Sequence, residues 1–210
     1  ASNISIVGNY RYRPNDSTSK YNNILNTYDT LDSARAYKKN AGDEMVTMII
    51  YKGQYTDAEL KLYQDAGTKS GINVKVISDD ADIIDYINKK QEFAFSTTDR
   101  DNDLITDFTY VGHGWTKSML VGGGSVITSD GITPSDLNTK AFDVNANIFL
   151  NSCGSAYGSL FSGMKEKTKG TVTGFNSTVI WGEKGIGSYR GNTQEYYYPW
   201  QNRESKDRKE

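Results

Sequence analysis

The sequence predicts an α/β fold in which a mostly parallel central sheet carries helices on both faces. Short apolar, β-branched segments alternate with amphipathic ones, which is typical of a parallel sheet built with right-handed crossovers. A chain of 210 residues is also long enough to bury a core of several strands. We expect one main domain over residues 43–200, an N-terminal extension over 1–42 that packs on it or leads into it, and a charged, flexible tail over 201–210.

The first elements are predicted from short runs of apolar residues. A strand is expected at Ile4–Val7 and a helix at Thr30–Lys39, separated by an Asn-rich loop over Arg13–Asn23. The run Val46–Tyr51 has the apolar, β-branched composition of a strand buried in a parallel sheet. Thr56 is the predicted N-cap of the helix that follows this strand.

The same alternation continues through the middle of the chain. A strand is predicted at Asn73–Ile77, and Asp79 and Asp80 begin a helix with isoleucines at helical spacing. Further strands are predicted at Ile105–Val111 and Asn147–Asn151. Beyond them the pattern predicts a helix and then two extended segments, at Tyr157–Lys167, Thr171–Phe175 and Thr178–Trp181.

The only histidine and the only cysteine of the chain each follow a predicted buried strand. These residues are His113 and Cys153. Ligands of open parallel sheets bind at the carboxyl edge, so two neighbouring strands would bring the imidazole and the thiol together there. A thiol is a better nucleophile as the thiolate, which a nearby imidazole or a helix N-terminus favours. The sequence therefore predicts a catalytic pair, with the helix after Cys153 adding positive potential.

Glycines flank both residues of this pair. Gly112, Gly114 and Gly154 let a substrate backbone approach and leave N–H groups open to an oxyanion. We expect the backbone N–H groups of Gly114 and Cys153 to be the oxyanion donors.

Four residues on loops are expected to surround the substrate pocket. An acidic side chain there would select a basic residue before the scissile bond. The four candidates are Trp115, Asp130, Trp181 and Glu183.

Two short motifs carry a family resemblance. In Phe108–Gly114 an apolar strand ends in His-Gly, and in Ile148–Gly154 a later apolar strand ends in a small residue followed by Cys. This pattern resembles the caspase-like superfamily of cysteine peptidases, which includes caspases, legumains, gingipains, clostripain and the self-processing domains of large bacterial toxins. The resemblance covers roughly residues 46–181. The residues around Cys153 match no caspase signature, so no preference for the residue before the cut is carried over.

The resemblance implies a caspase-like sandwich and a thiol protease. His113 would be the catalytic histidine and Cys153 the nucleophile, working as a dyad without an obligatory third member. The cleavage would pass through a thioester.

One acidic stretch is a calcium candidate, although the proposed chemistry requires no cofactor. Asp99, Asp101 and Asp103 alternate as at the start of an EF-hand loop. Leu104 stands where that loop needs glycine and Tyr110 where it needs glutamate, so the match is incomplete.

Composition and charge limit the classes of molecule that are expected to bind this chain. A net charge of -2 provides no broad basic field, which argues against nucleic acid, and no apolar run reaches the ~20 residues of a membrane span. We expect a monomer that acts on a protein or peptide, with its own parent chain as one candidate. The N-terminus lacks a signal-peptide pattern and Ala1 is not an initiator methionine. The expected context is therefore a toxin or effector domain excised from a larger secreted or delivered bacterial protein.

The sequence leaves two alternatives to a cysteine endopeptidase. One is a binding or scaffolding module on the same fold, in which the pair is inert and the thiol is unreactive. The other is a different thiol acyl-transfer enzyme, such as an amidase or a transglutaminase-like transferase. Release of ammonia rather than a new peptide N-terminus would identify the second.

Overall fold

The computed structural model describes residues 1–8, 17–53, 55–89, 100–122, 131–156 and 158–175, with residues 17–23 and 25 described by their backbone alone. The predicted extended segment at Thr178–Trp181 and the charged tail over 201–210 lie outside these residues.

The described residues form a six-stranded sheet whose strand pairings are all parallel. The strands are β1 (Ser2–Val7), β2 (Met45–Tyr51), β3 (Asn73–Ile77), β4 (Ile105–Val111), β5 (Phe142–Asn151) and β6 (Val172–Thr173). Their order in the sheet is β3-β2-β1-β4-β5-β6. This order confirms the predicted α/β class with a mostly parallel sheet.

The same residues form α1 (Ser17–Lys38), α2 (Asp57–Lys69), α3 (Asp80–Lys89) and α4 (Gly158–Lys165). Three short 3-10 turns lie at Arg100–Asn102, Pro134–Asp136 and Thr139–Ala141. Among the described residues, none of these helices combines the length and apolar character needed to cross a bilayer.

Several boundaries differ from the sequence prediction. The loop predicted at Arg13–Asn23 is wrong from Ser17 onward, where α1 has already begun. Asn and Ser have low helix propensity, so local sequence predicts a loop, whereas packing of the later part of α1 stabilises the whole helix. β5 begins at Phe142 rather than Asn147, because its first half alternates between buried and exposed residues and has no continuous apolar run.

The N-terminal segment is integral to the sheet. β1 pairs with β2 on one side and with β4 on the other, and its residues Ile4 and Ile6 are fully buried. The residues set apart as an extension over 1–42 therefore supply both a central strand and the helix α1.

Two apolar layers cover the two faces of the sheet. On one face, β-strand side chains such as Ile6 and Leu150 pack with Ile83 of α3 and Leu160 of α4. On the other face, Met48 and its neighbours pack with residues of α1 and α2. Burial of these layers supplies the main stabilisation of the fold. It also holds the carboxyl ends of the strands in fixed relative positions.

Candidate active site

His113 and Cys153 follow strands that are direct neighbours in the sheet. In the β4–β5 register Val111 is opposite Asn151, and the ladder continues with the N–H of Gly112 donating to the carbonyl of Asn151 at 3.2 Å. His113 and Cys153 therefore lie at the same edge of the sheet, each two residues beyond a pair of opposing strand residues, as expected for parallel strands. Both side chains are partly exposed.

The segment that carries His113 folds back on itself. The carbonyl of His113 accepts a hydrogen bond from the N–H of Leu120 at 2.9 Å, and the N–H of Trp115 donates to the carbonyl of Ser118 at 3.2 Å. Gly114 and Met119 form the antiparallel bridge between these two bonds. The backbone on either side of Gly114 is thus fixed by bonds to the returning chain.

The turn that carries Cys153 is anchored to the end of β6. Ser155 is fully buried, and its Oγ donates to the carbonyl of Leu150 at 2.7 Å while accepting from the N–H of Phe175 at 3.1 Å. The carbonyl of Phe175 in turn accepts from the N–H of Ala156 at 2.9 Å. Gly154 has a φ of 61°, which allows the tight turn directly after the thiol.

Helix α4 connects this turn to the histidine segment. The N–H of Leu160 in its first turn donates to the carbonyl of Thr116 at 2.9 Å. A Cβ on Gly158 would lie 2.6 Å from the same carbonyl oxygen, so the close approach requires glycine. The turn at Ser152–Ala156 separates Cys153 from α4, and this first-turn N–H is already bonded. The helix thus fixes the relative position of the two loops, and its predicted effect on the thiol remains a prediction.

The predicted oxyanion donor Gly114 lies against the residue before the cysteine. A Cβ on Gly114 would be 2.7 Å from Ser152 Oγ and 2.8 Å from Ser152 Cβ, a contact that real side chains do not make. Only glycine therefore allows the two strand ends to approach this closely. The role of the Cys153 N–H as a second donor stays a prediction.

Trp115 lies against the residue after the cysteine. Its indole carbons Cε3 and Cζ3 would be 3.4 and 3.5 Å from a Cβ on Gly154, and 43% of the residue is exposed. An exposed aromatic side chain therefore lies against the residue that follows the candidate nucleophile. The other predicted pocket residues Asp130, Trp181 and Glu183 lie outside the described residues.

A groove of about 530 Å³ begins beyond Thr116. It runs between the histidine segment, the turn at Pro134–Asp136 and the outer side of α4. Its lining is largely apolar and includes polar groups of Lys117, Thr133, Ser135, Ser159, Ser162 and Glu166. Such a groove offers hydrogen-bonding groups to an extended chain.

Tyr110 bonds to the backbone of His113 and was not identified from the sequence as a site residue. It is fully buried in β4, and its hydroxyl donates to the carbonyl of His113 at 2.5 Å. Burial raises the pKa of Tyr110 well above its ordinary value, and the charges of Asp80 and Cys153 raise it further. The phenol therefore stays protonated and remains a hydrogen-bond donor near the thiol.

The calcium candidate lies at the other end of β4. Asp99 falls outside the described residues, and Asp103 accepts a hydrogen bond from Ser2 Oγ at 2.7 Å. Within the described ranges, no group of three or more His, Cys, Asp or Glu side chains is arranged to hold a metal ion. Because Asp103 precedes β4 whereas His113 follows it, an ion bound there would be remote from the pair.

Comparisons with protein-family models, curated proteins and solved structures gave no match for this chain. The interpretation of the site therefore rests on its own residues and geometry.

Replacing Ser155 by Ala should destabilise the cysteine turn. The change leaves the buried carbonyl of Leu150 and the N–H of Phe175 without their side-chain partner, so the free energy of unfolding should fall by about 1–3 kcal/mol. Urea unfolding measures this difference. Ser162→Ala is the matched control, because its hydroxyl bonds to a carbonyl at an exposed site on α4. Equal stability of both variants and the wild type would show that Ser155 does not anchor the turn.

Proposed function

We propose that this chain is a cysteine endopeptidase in which His113 and Cys153 form the catalytic dyad. One observation carries the proposal. The only histidine and the only cysteine occupy equivalent positions after two neighbouring parallel strands. Their glycine neighbours support the proposal, because a peptide backbone needs close access to the thiol. The exposed Trp115 side chain supports it as an apolar contact for the substrate. The resemblance of the two motifs to caspase-like peptidases points the same way.

Acylation begins with transfer of the Cys153 proton to the imidazole of His113. The thiolate attacks the peptide carbonyl carbon, forming a C–S bond while the carbonyl electron pair moves onto oxygen. The backbone N–H groups of Gly114 and Cys153 stabilise this oxyanion. When the tetrahedral intermediate collapses, the C–N bond breaks and the imidazolium gives its proton to the leaving amine.

Deacylation returns the enzyme to its starting state. Water gives a proton to His113 as its oxygen attacks the thioester carbonyl. Collapse of this second intermediate breaks the C–S bond, releases the carboxylic acid product and returns the proton to the sulfur. The cycle balances with water as its only co-reactant.

The proposed substrate is an extended segment of a protein. Trp115 offers an apolar surface next to the thiol, and the groove beyond Thr116 offers polar contacts to residues further along. We infer a peptide rather than a nucleic acid, since the chain has no broad excess of positive charge. The parent polypeptide and a protein of a host or rival cell are both candidate substrates. All the proposed site residues belong to one chain, so the proposal requires only a monomer.

A mixed peptide library tests the proposed activity. The wild type should generate new N-termini, read by mass spectrometry, whereas Cys153→Ala should generate none and His113→Ala should be slower by about 10²-fold or more. Runs with and without calcium show whether that ion affects the rate.

The other outcomes identify the alternatives. Ammonia release without new N-termini would favour an amidase or a transferase. If the wild type cuts nothing and Cys153 reacts with iodoacetamide no faster than a free thiol, the pair is inert and a binding module is favoured.

Replacing Trp115 by Ala should weaken recognition of the substrate. Loss of the exposed indole removes apolar contact beside the thiol, so kcat/KM for peptides with a large apolar residue near the cut should fall about tenfold. Steady-state kinetics on one cleaved peptide and on its alanine-substituted form measures the effect. Val144→Ala, which is 53% exposed in the first half of β5, is the control and should match the wild type. Unchanged kcat/KM for both peptides would remove Trp115 from the binding surface.

A further inference from the structure

The carbonyl of His113 accepts two hydrogen bonds. One comes from the hydroxyl of Tyr110 at 2.5 Å and the other from the backbone N–H of Leu120 at 2.9 Å. A carbonyl oxygen has two lone pairs, so this acceptor is fully used. Rotation of the His113–Gly114 peptide would break both bonds, and the peptide plane is therefore fixed.

The same peptide plane carries the N–H of Gly114. No cis peptide bond occurs among the described residues, so this N–H points opposite to the carbonyl of His113. That carbonyl bonds into the returning chain at Leu120, and the bridge pattern directs the N–H of Gly114 away from Met119. The carbonyl in this plane thus faces the returning chain at Leu120, and the N–H faces away from it.

Two glycines make room for the hydroxyl of Tyr110. A Cβ on Gly112 would lie 2.7 Å from this hydroxyl, and a Cβ on Gly8 would lie 3.0 Å from it. Gly8 follows β1, and Gly112 follows β4. The chain segments after β1 and β4 therefore meet around one buried phenol oxygen, which bonds to the carbonyl of His113.

We propose that Tyr110 is a positioning residue that presets the oxyanion donor of the site. By holding the carbonyl of His113, its hydroxyl fixes the Gly114 N–H in the orientation that an oxyanion at Cys153 needs. It also polarises the same amide, which strengthens the N–H as a donor. This inference rests on the proposed peptidase function and adds a residue that the dyad alone does not supply.

The phenol is suited to this role because it remains a donor. Its burial and the neighbouring acidic groups oppose ionisation, so the hydroxyl keeps its proton throughout the range in which a thiol and an imidazole exchange theirs. Phenylalanine would fill the same apolar space without the hydrogen bond. The hydroxyl can therefore be removed with little change in packing.

Tyr110→Phe should slow acyl transfer without altering the thiol. Removing an oxyanion donor outright costs 10²–10³ in kcat, and since Leu120 still holds the carbonyl, the loss should be about tenfold in kcat with KM nearly unchanged. Alkylation by iodoacetamide forms no oxyanion, so the rate constant for alkylation of Cys153 should stay at the wild-type value. The pairing of a slower kcat with an unchanged alkylation rate is the expected signature.

A second tyrosine provides the matched control. Tyr86 is buried, and its hydroxyl bonds to Thr47 Oγ1 at 2.9 Å in the core. Tyr86→Phe also removes one buried hydroxyl, and it should leave both kcat and the alkylation rate unchanged. Thermal unfolding of both variants verifies that each is folded at the assay temperature.

A peptide aldehyde provides a second measurement. It adds reversibly to Cys153 and places a negatively charged or hydrogen-bonded oxygen in the donor position, so Tyr110→Phe should weaken its binding about tenfold. Should Tyr110→Phe fail to fold, Gly112→Ala takes its place, because the added methyl group must displace the phenol hydroxyl. The same loss of kcat and of aldehyde affinity is expected from it.

The outcomes separate this inference from the proposed function. A wild-type kcat and wild-type aldehyde affinity in Tyr110→Phe would overturn the positioning role while leaving the peptidase intact. Equal slowing of alkylation and of peptide cleavage would also overturn it, since Tyr110 would then act on the thiol. A wild type that neither cuts peptides nor binds the aldehyde would contradict the proposed function itself, and this inference with it.

Discussion

The parallel hydrogen-bonded pairing of β4 with β5 sets the position of each group in the candidate site. Its register places Val111 opposite Asn151, and the histidine and cysteine follow at the same level. A slip of one residue would move one of these side chains to the other face of the sheet. Burial of the apolar layers on both faces opposes such a slip, so the core of the fold and the geometry of the site depend on the same register.

Polar groups at the end of β5 are held at a cost in stability. The side chains of Asn151 and Ser152 are fully buried, and among the described residues neither the Asn151 carboxamide nor the Ser152 hydroxyl has a hydrogen-bond partner. An unsatisfied buried polar group typically costs 1–3 kcal/mol, and folds carry few of them. These groups lie directly before Cys153. Functional sites often keep a geometry that lowers the stability of the fold, and this position fits that pattern. The anchoring of the next turn by Ser155 offsets part of this cost.

The sequence predicts those parts of the fold that local composition determines. The bounds of β3 and β4 agree with the predicted strands at Asn73–Ile77 and Ile105–Val111, since these are short apolar runs between clear breaks. The sequence also predicts that the histidine and the cysteine lie at the carboxyl edge of the sheet, because each follows a buried strand. The central place of β1 could not be predicted, because strand order depends on long-range pairing. Tyr110 was missed for a similar reason: a tyrosine in an apolar strand resembles any core residue, and its hydroxyl is accommodated by glycines at the ends of its own strand and of β1.

The most direct test of the central claim is a titration of the imidazole of His113 by NMR. The chain has one histidine and one cysteine, so the signal is unambiguous in an isotope-labelled sample. If the two groups interact, the thiolate stabilises the imidazolium, and Cys153→Ala should move the midpoint of the imidazole titration to lower pH. Identical titration curves for the wild type and Cys153→Ala would contradict the account, because the two groups would then not share a site.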